Sequence, residues 1–223
     1  MRYAYFVPAR RLFPACYEEE VQGLSLLRVE LPRRRGAQRR ILRRLGRMGV
    51  NWALNLPELS SYPEHCPRLV ETGELYRRRG GAVALWALER RGLAAEESVV
   101  GLRSRRWTPW LERLAVELAQ RVRGLALCLE QGEEEAGRVL LERCGVPVFH
   151  GEGDVTLCYA PAEPDSARLL LAGPRPRVEG LVWHWSGGEI PEGAPADALL
   201  WALAQRGSIS WEEAECGEAQ EPF

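Results

Sequence analysis

The alternation of apolar and polar residues predicts strands and helices in turn from about residue 24 onward. The segment Leu24–Leu31 reads LSLLRVEL and predicts a strand. In segment 36–48 the apolar side chains recur on one side at helical spacing, and Gly49 ends this helix. The segment 50–56 (VNWALNL) then predicts the next strand. The first residues are less regular, and Arg2–Val7 predicts an edge strand.

The central part of the chain carries the clearest pattern. A helix over 74–91 is weakened by Gly80-Gly81, because a glycine costs about 1 kcal/mol relative to alanine inside a helix. Residues 98–160 predict, in order, a strand at 98–103, a helix capped by Thr108 and running from Pro109 to about Val122, a strand at 124–130, a helix at 133–144, and strands at 146–150 and 155–160.

The succession of strands and helices predicts an α/β fold with a mainly parallel sheet and helices on both faces, followed by a strand-rich C-terminal extension. We expect one domain over residues 1–210 and an acidic tail over 211–223. The parts of this domain are the first β-α units at 24–97, the central units at 98–160, and C-terminal strands (167–172, 180–185) with a helix (195–205) at 161–210.

The order of elements over 98–160 resembles the second half, or a degenerate version, of a Rossmann-like domain. It consists of strand, helix, strand ending in Glu130, helix and a short strand with the sequence GVPV at 145–148. The resemblance implies a parallel sheet with a ligand beyond the carboxyl ends of its strands. The glycine-rich turn that binds a pyrophosphate in that family is missing, because 101–107 reads GLRSRRW and keeps only Gly101. Ordinary dinucleotide binding is therefore not expected, and neither a cofactor nor a named family is identified.

Every basic side chain of this protein is an arginine. The sequence contains 30 Arg and no Lys. Lysine-dependent pyridoxal-phosphate enzymes, the usual P-loop proteins and ordinary protein kinases each need a lysine amine, so these classes are excluded. With 46% hydrophobic residues the chain can bury a core. No apolar run reaches the roughly 18–20 residues that a membrane-spanning helix needs.

A cytoplasmic localisation is predicted by the first residues and by the cysteines. Arg2, Arg10 and Arg11 interrupt the start of the chain, which does not resemble a secretory signal. The 6 cysteines are widely spaced and include no Cys-x-x-Cys pair. This spacing favours reduced thiols that pack as small apolar side chains.

Charge is divided unevenly along the chain. Residues 1–125 hold 24 Arg and 13 acidic residues, whereas residues 126–223 hold 6 Arg and 18 acidic residues. Either the basic half meets an anionic partner, or the two halves neutralise each other within one chain or between subunits of a homo-oligomer. The segment 33–47 alone carries eight Arg and no acid. Nucleic acid is a disfavoured partner, because no aromatic residues interleave with these arginines.

Polar residues follow several of the predicted strands, where an open α/β sheet binds its ligands. If all strands are parallel, these residues lie along one edge of one sheet. They are Arg33–Arg35 after strand 24–31, Asn55 and Glu58 after strand 50–56, Arg103–Arg106 after strand 98–103, Glu130, and His150.

The segment 103–108 is the best candidate for a ligand site. A helix N-terminus offers free N–H groups to an anion, and guanidinium and hydroxyl groups can add further hydrogen bonds. The alternative is that the arginines are solvated or paired with acidic residues and that Thr108 only caps the helix. The candidate ligand-binding residues are Arg103, Ser104, Arg105, Arg106, Thr108, Glu130 and His150.

Two further polar clusters have a chemical and an ordinary interpretation. The loop 150–154 (HGEGD) holds three acid–base groups, or is a turn bent by its glycines. His65-Cys66 could pair a base with a nucleophile, but adjacent side chains rarely face each other. Neither cluster has a zinc-ligand spacing, so no metal site is predicted and no catalytic residue is assigned.

Three hypotheses on function follow. The first is a Rossmann-like protein that binds a small anionic ligand, such as a nucleotide or a phosphorylated metabolite, at 103–108. The second is an interaction protein whose basic first half docks an acidic partner or subunit. The third is an oxidoreductase with a degenerate dinucleotide loop.

Overall fold

The computed structural model describes residues 2–9, 15–163 and 165–218. The helices of this part are α1 (Arg35–Arg47), α2 (Gly73–Arg78), α3 (Gly80–Arg90), α4 (Pro109–Ala119), α5 (Glu133–Cys144) and α6 (Ala196–Gln205). The strands are β1 (Arg2–Pro8), β2 (Cys16–Val21), β3 (Leu24–Leu31), β4 (Val50–Ala53), β5 (Arg68–Leu69), β6 (Val99–Arg106), β7 (Gly124–Gln131), β8 (Val148–His150), β9 (Val155–Cys158), β10 (Arg168–Leu170), β11 (Leu181–Trp185) and β12 (Ala214–Glu218).

The chain divides into two compact units. Unit 1 comprises Met1–Glu71 and Trp183–Ala214, and unit 2 comprises Thr72–Val182 and Glu215–Phe223. Each unit holds one five-stranded sheet, and β11 and β12 form a small antiparallel sheet. The α/β class with mainly parallel strands is therefore confirmed. The single domain over 1–210 stays a prediction.

The sheet of unit 1 has the strand order β2-β3-β1-β4-β5. β1 pairs in parallel with β3 and β4, while β2 is antiparallel to β3. β1 therefore lies in the middle of the sheet, and the prediction of an edge strand at 2–7 is wrong. Its buried residues Tyr3, Ala4, Tyr5 and Phe6 pack on both faces, which explains a continuous apolar run where an edge strand would alternate.

Both faces of this sheet are covered. Ala4 and Phe6 belong to the core cluster that also contains Leu42 and Leu45 of α1. On the other face, an added Cβ on Gly193 would lie 2.6 Å from the side chain of Val7. The segment that contains α6 therefore packs opposite α1, and α6 itself is buried over Ala198–Leu203.

The sheet of unit 2 is entirely parallel, with the order β10-β9-β6-β7-β8. The helices α3, α4 and α5 contact these strands and form a series in which α4 touches both neighbours, so they make one layer on one face. Pro109 occupies the first position of α4, as predicted, and Gly145 ends α5 in the left-handed conformation (φ 62°) just after the predicted end of this helix.

The opposite face of this sheet is crossed by the short segment 151–154, which joins β8 to β9. Gly153 lies directly on Gly101 of β6, so closely that an added Cβ on Gly153 would sit 2.6 Å from the Gly101 nitrogen. Asp154 fixes the end of the crossing, because its N–H donates to Val99 O at 2.8 Å and its Oδ2 accepts from Val99 N at 2.8 Å. Two glycines thus let one backbone pass over another without an intervening helix.

Other element boundaries differ from the predictions in instructive ways. The helix predicted at 74–91 is broken at Arg79, just before the two glycines that weakened it. Residues 211–218, assigned to the acidic tail, form a short 3₁₀ turn and β12, and the rest of the predicted tail lies outside the described residues. All 6 cysteines are free thiols, but only Cys158 is fully buried.

In the part of the chain that the structure describes, every helix is too short or too polar to span a membrane.

Candidate functional site

The residues predicted to form an arginine-rich turn belong to a strand. β6 runs to Arg106, so the prediction that the strand ends at Arg103 is wrong. The cause is its pairing with β7, which continues as far as Arg106 opposite Gln131. Because side chains alternate along a strand, Arg103 and Arg105 point to one face, and Ser104 and Arg106 to the other. The four side chains therefore do not converge on one ligand.

Arg103 already has a partner for its charge. Its Nη1 lies 3.3 Å from Oε1 of Glu152, and the same oxygen lies 2.6 Å from Nη2 of Arg168. The three side chains are 22–33% exposed. Glu152 thus neutralises and joins two arginines of neighbouring segments, and no local sequence pattern indicates this bridge.

The two hydroxyl groups of the predicted site are withdrawn from solvent. Ser104 is buried, and its Oγ lies 3.4 Å from Arg106 O. Thr108 precedes α4, but its side chain accepts no N–H group from that helix. Its buried Oγ1 has no hydrogen-bond partner among the described residues. Thr108 therefore occupies the N-cap position of α4 as predicted, but its hydroxyl makes no capping hydrogen bond. Arg105 and Arg106 are exposed.

Glu130 and His150 lie at the same edge of the sheet as 103–108, because all its strands are parallel. Glu130 is exposed at the end of β7. His150 is exposed too, and its Nδ1 lies 2.7 Å from Oε1 of Glu133. The other oxygen of Glu133 accepts the N–H of Leu129 at 3.0 Å. Glu133, the first residue of α5, is a partner of His150 that the sequence analysis missed.

Glu133 should contribute a pH-dependent part of the stability. The N–H of Leu129 and then the His150 ring lower the pKa of its carboxyl below the ordinary 4.5. A carboxyl with a lower pKa in the folded state stabilises the fold above its ordinary pKa, and this contribution is lost as the pH falls through the lowered pKa. We expect Glu133→Gln to be less stable than the wild type at neutral pH and to lose less stability on acidification. Urea unfolding at a series of pH values measures both.

The exposed neighbour Glu134 provides the matched control. Glu134→Gln makes the same chemical change without removing the contacts to Leu129 and His150, so it should lose less stability at neutral pH than Glu133→Gln. Identical pH profiles for Glu133→Gln and the wild type would contradict the assignment.

The remaining candidate residues belong to unit 1, so the expectation of one shared edge is wrong. Arg33–Arg35 follow β3 and are exposed. Asn55 has a structural role, because its side chain accepts from Phe6 N at 2.7 Å and donates to Phe6 O at 2.9 Å. Glu58 is exposed. The strands of both units have similar apolar patterns, which predicted a single sheet, whereas the structure contains two separate sheets.

Gly101 is the one glycine of 101–107 that matches the dinucleotide-binding turn, and in this structure it allows the segment 151–154 to pack closely on β6. A Cβ at this position would lie 2.4 Å from Thr156 Oγ1 and 2.9 Å from Gly153 N. The space that a glycine offers to a pyrophosphate in a Rossmann-like turn is therefore taken by the crossing segment.

The groups of the loop 150–154 point to separate partners. His150 contacts the carboxylate of Glu133, and Glu152 forms ion pairs with Arg103 and Arg168. Asp154 accepts a hydrogen bond from Val99 N. Within residues 2–9, 15–163 and 165–218, no three His, Cys, Asp or Glu side chains are grouped so that they could hold a metal ion.

The pair His65-Cys66 does not form a nucleophile with its base. Cys66 packs against the core cluster of unit 1, and burial raises the pKa of its thiol. A raised pKa leaves less of the reactive thiolate. The exposed His65 instead lies 3.9 Å from Glu64.

Unit 2 contains a cavity of about 410 Å³ that we call the arginine pocket. It lies beside the edge strand β10, near the amino ends of β9 and β10. Its lining includes Trp86, Arg90 and Arg91 from the end of α3, Arg168 from β10, and Arg177. The carboxylates of Asp165 and Glu179 are the acidic groups of the lining, so four guanidinium groups face two carboxylates.

Two of these arginines are held without being neutralised. Arg90 Nη1 donates to the backbone oxygen of Glu179, and Arg91 Nη1 donates to the backbone oxygen of Asp154. A carbonyl oxygen carries no net charge, so both guanidinium groups keep their full positive charge and most of their five N–H donors. Arg177 is exposed and has no ion pair with a described residue. Four guanidinium groups against the carboxylates of Asp165, Glu179 and Glu152 leave the pocket with a net positive charge.

Trp86 adds an aromatic wall with an unused donor. It is buried, and Arg90 lies over its ring at 5.5 Å from the centroid. Its Nε1–H is buried without a hydrogen-bond acceptor among the described residues. A buried donor without an acceptor costs about 1–3 kcal/mol.

Comparison with protein-family models, curated proteins and solved structures gave no match for this chain.

Sequence reasoning missed the arginine pocket because it examined the carboxyl ends of the strands. Arg90-Arg91 ends a helix just before Gly92, where arginines ordinarily complement the helix dipole. Arg168 and Arg177 lie in the region treated as an extension. Only the fold brings these distant residues into one cavity.

Proposed function

We propose that this protein binds a small anionic ligand in the arginine pocket. The observation that supports it best is the placement of four guanidinium groups around one cavity, with Arg90 and Arg91 anchored on neutral carbonyl oxygens. Guanidinium groups bind phosphate and carboxylate groups through paired hydrogen bonds. Arginines oriented in advance by backbone contacts lose little conformational entropy when such a ligand binds.

The lining indicates the class of ligand. A volume of about 410 Å³ falls within the range of roughly 300–1,000 Å³ that small-molecule pockets occupy. Leu169, Leu170 and Val178 are apolar, and Trp86 contributes an aromatic side chain to the lining. A ligand that joins a phosphate or carboxylate to a less polar part, such as a nucleotide or a phosphorylated metabolite, fits this combination.

Calorimetric titration with pyrophosphate, with ATP and with uncharged adenosine tests the proposal. We expect the two anions to bind and adenosine to bind much more weakly. Arg177→Gln should weaken pyrophosphate binding about fivefold, because one charged hydrogen-bonding group is lost.

The control is Arg175→Gln, which changes the same residue type two positions away and outside the lining. It should bind as the wild type does. Absence of binding by both anions, or equal losses in the two variants, would contradict the proposal.

Cytoplasmic localisation and assembly into a homo-oligomer stay predictions. The free thiols support a reducing compartment for the protein.

A further inference from the structure

Helix α1 and the residues before it expose a strongly basic surface in unit 1. Its arginines at positions 33–35, 40, 43, 44 and 47 are all exposed; we call this set the basic face. From Leu31 to Pro57 the chain contains no acidic residue. None of the seven side chains forms an ion pair with a carboxylate of the described residues, which also leaves the predicted internal neutralisation without support here.

The arrangement is unfavourable for the isolated helix. Arg34 and Arg35 lie at the positive end of the helix dipole, and the first turn contains no acid to compensate them. Pairs such as Arg40 and Arg44 lie four residues apart, where like charges repel. An external row of negative charges would remove both penalties.

A second segment contributes an aromatic side chain to this surface. Arg39 Nη2 donates to the hydroxyls of Ser60 and Ser61 at 3.0 and 2.9 Å. Tyr62 follows directly; the residue is 48% exposed, and its hydroxyl donates to Pro57 O at 3.0 Å. Arg39 thus ties the segment that precedes Tyr62 to α1, the helix that carries most of the basic face, although the sequence shows no aromatic residue among the arginines.

The apolar side of α1 is not available to a lipid. Leu42 and Leu45 are buried in the core cluster, and Ile41 packs against it. Helices that bind membranes insert an apolar face between the lipids. A partner of α1 is therefore recognised through the charged side chains of its exposed side.

We propose that the basic face and Tyr62 bind single-stranded nucleic acid. The arginines contact successive phosphates, and an unpaired base stacks on the tyrosine ring. This combination of a basic track and an exposed aromatic ring is how proteins hold single strands without reading their sequence. The site lies in unit 1 and is independent of the arginine pocket.

Fluorescence anisotropy with labelled oligouridine over a series of salt concentrations tests this site. We expect binding that weakens linearly on a logarithmic salt scale, with a slope of about −0.7 for each phosphate contacted. The double variant Arg40→Gln/Arg44→Gln should make this slope less steep by about 1.4. Arg121→Gln/Arg123→Gln removes two exposed arginines of unit 2 and should leave it unchanged.

Tyrosine variants separate stacking from charge. Tyr62→Ala should weaken binding about fivefold at constant salt slope, whereas Tyr62→Phe keeps the ring and should bind as the wild type does. Three outcomes would overturn the proposal: no binding of oligouridine at low salt, equal binding by Tyr62→Ala and the wild type, or preferential binding of phosphatidylserine vesicles or polyglutamate.

Discussion

Replacing Gly153 by alanine is expected to destabilise unit 2 by about 3 kcal/mol, at the upper end of what overpacking costs. The added Cβ would lie 2.3 Å from Val99 O and 2.9 Å from the carbonyl carbon of Val100. These are backbone atoms of β6, which pairs with β7 and β9 and cannot move without breaking those ladders. Urea unfolding followed by circular dichroism measures the loss.

The matched control is Gly137→Ala in α5. An added Cβ there meets no atom within 4 Å. Alanine favours a helix over glycine by about 1 kcal/mol, so this variant should be slightly more stable than the wild type. If Gly153→Ala and Gly137→Ala unfold at the same urea concentration, the close crossing of 151–154 over β6 is wrong.

Glu152→Gln should bind pyrophosphate about tenfold more tightly than the wild type. The amide oxygen can still accept from Arg103 and Arg168, but the negative charge that neutralises Arg168 is removed. One uncompensated charge close to the ligand has an effect of this size at a partly exposed site. The melting temperature should fall at the same time, because an ion pair is replaced by neutral hydrogen bonds.

Glu163→Gln controls for the chemical change itself. Glu163 contacts Arg168 through its backbone oxygen only, and its exposed side chain does not line the pocket. The affinity of the Glu163→Gln variant for pyrophosphate should match that of the wild type. Unchanged or weaker binding by Glu152→Gln would show that the charge of Arg168 is not used.

Local patterns predicted most of the secondary structure because their causes are local. The bounds of β3 and α5 agree with the prediction, because the spacing of apolar residues is visible within each segment. For α5, the glycine that follows its last residue also marks its end. The end of β6 was missed because β6 continues through polar residues to Arg106, which pairs with Gln131 of β7, and pairing is not visible in the sequence of one strand.

The site was less accessible to sequence reasoning than the fold class. The carboxyl ends of parallel strands share an edge only when the strands belong to the same sheet. The strand before Arg33–Arg35 and the strand that contains Arg103 belong to different sheets. The partners of Arg103 and His150 are Glu152 and Glu133, which no local rule connects to them. The arginine pocket depends on contacts between α3 and the region around β10, more than 70 residues apart.

The indole N–H signals of ¹⁵N-labelled protein test anion binding in the arginine pocket most directly. Three of the 8 tryptophans decide the result: Trp86 lines the pocket, while Trp107 and Trp110 lie at the end of β6 and the start of α4. Loss of a signal in Trp86→Phe, Trp107→Phe or Trp110→Phe assigns each resonance. On titration with pyrophosphate we expect the Trp86 signal to move and the other two to stay in place. A stationary Trp86 signal would contradict anion binding in the arginine pocket. Movement of the Trp107 and Trp110 signals instead would place the ligand at residues 103–108.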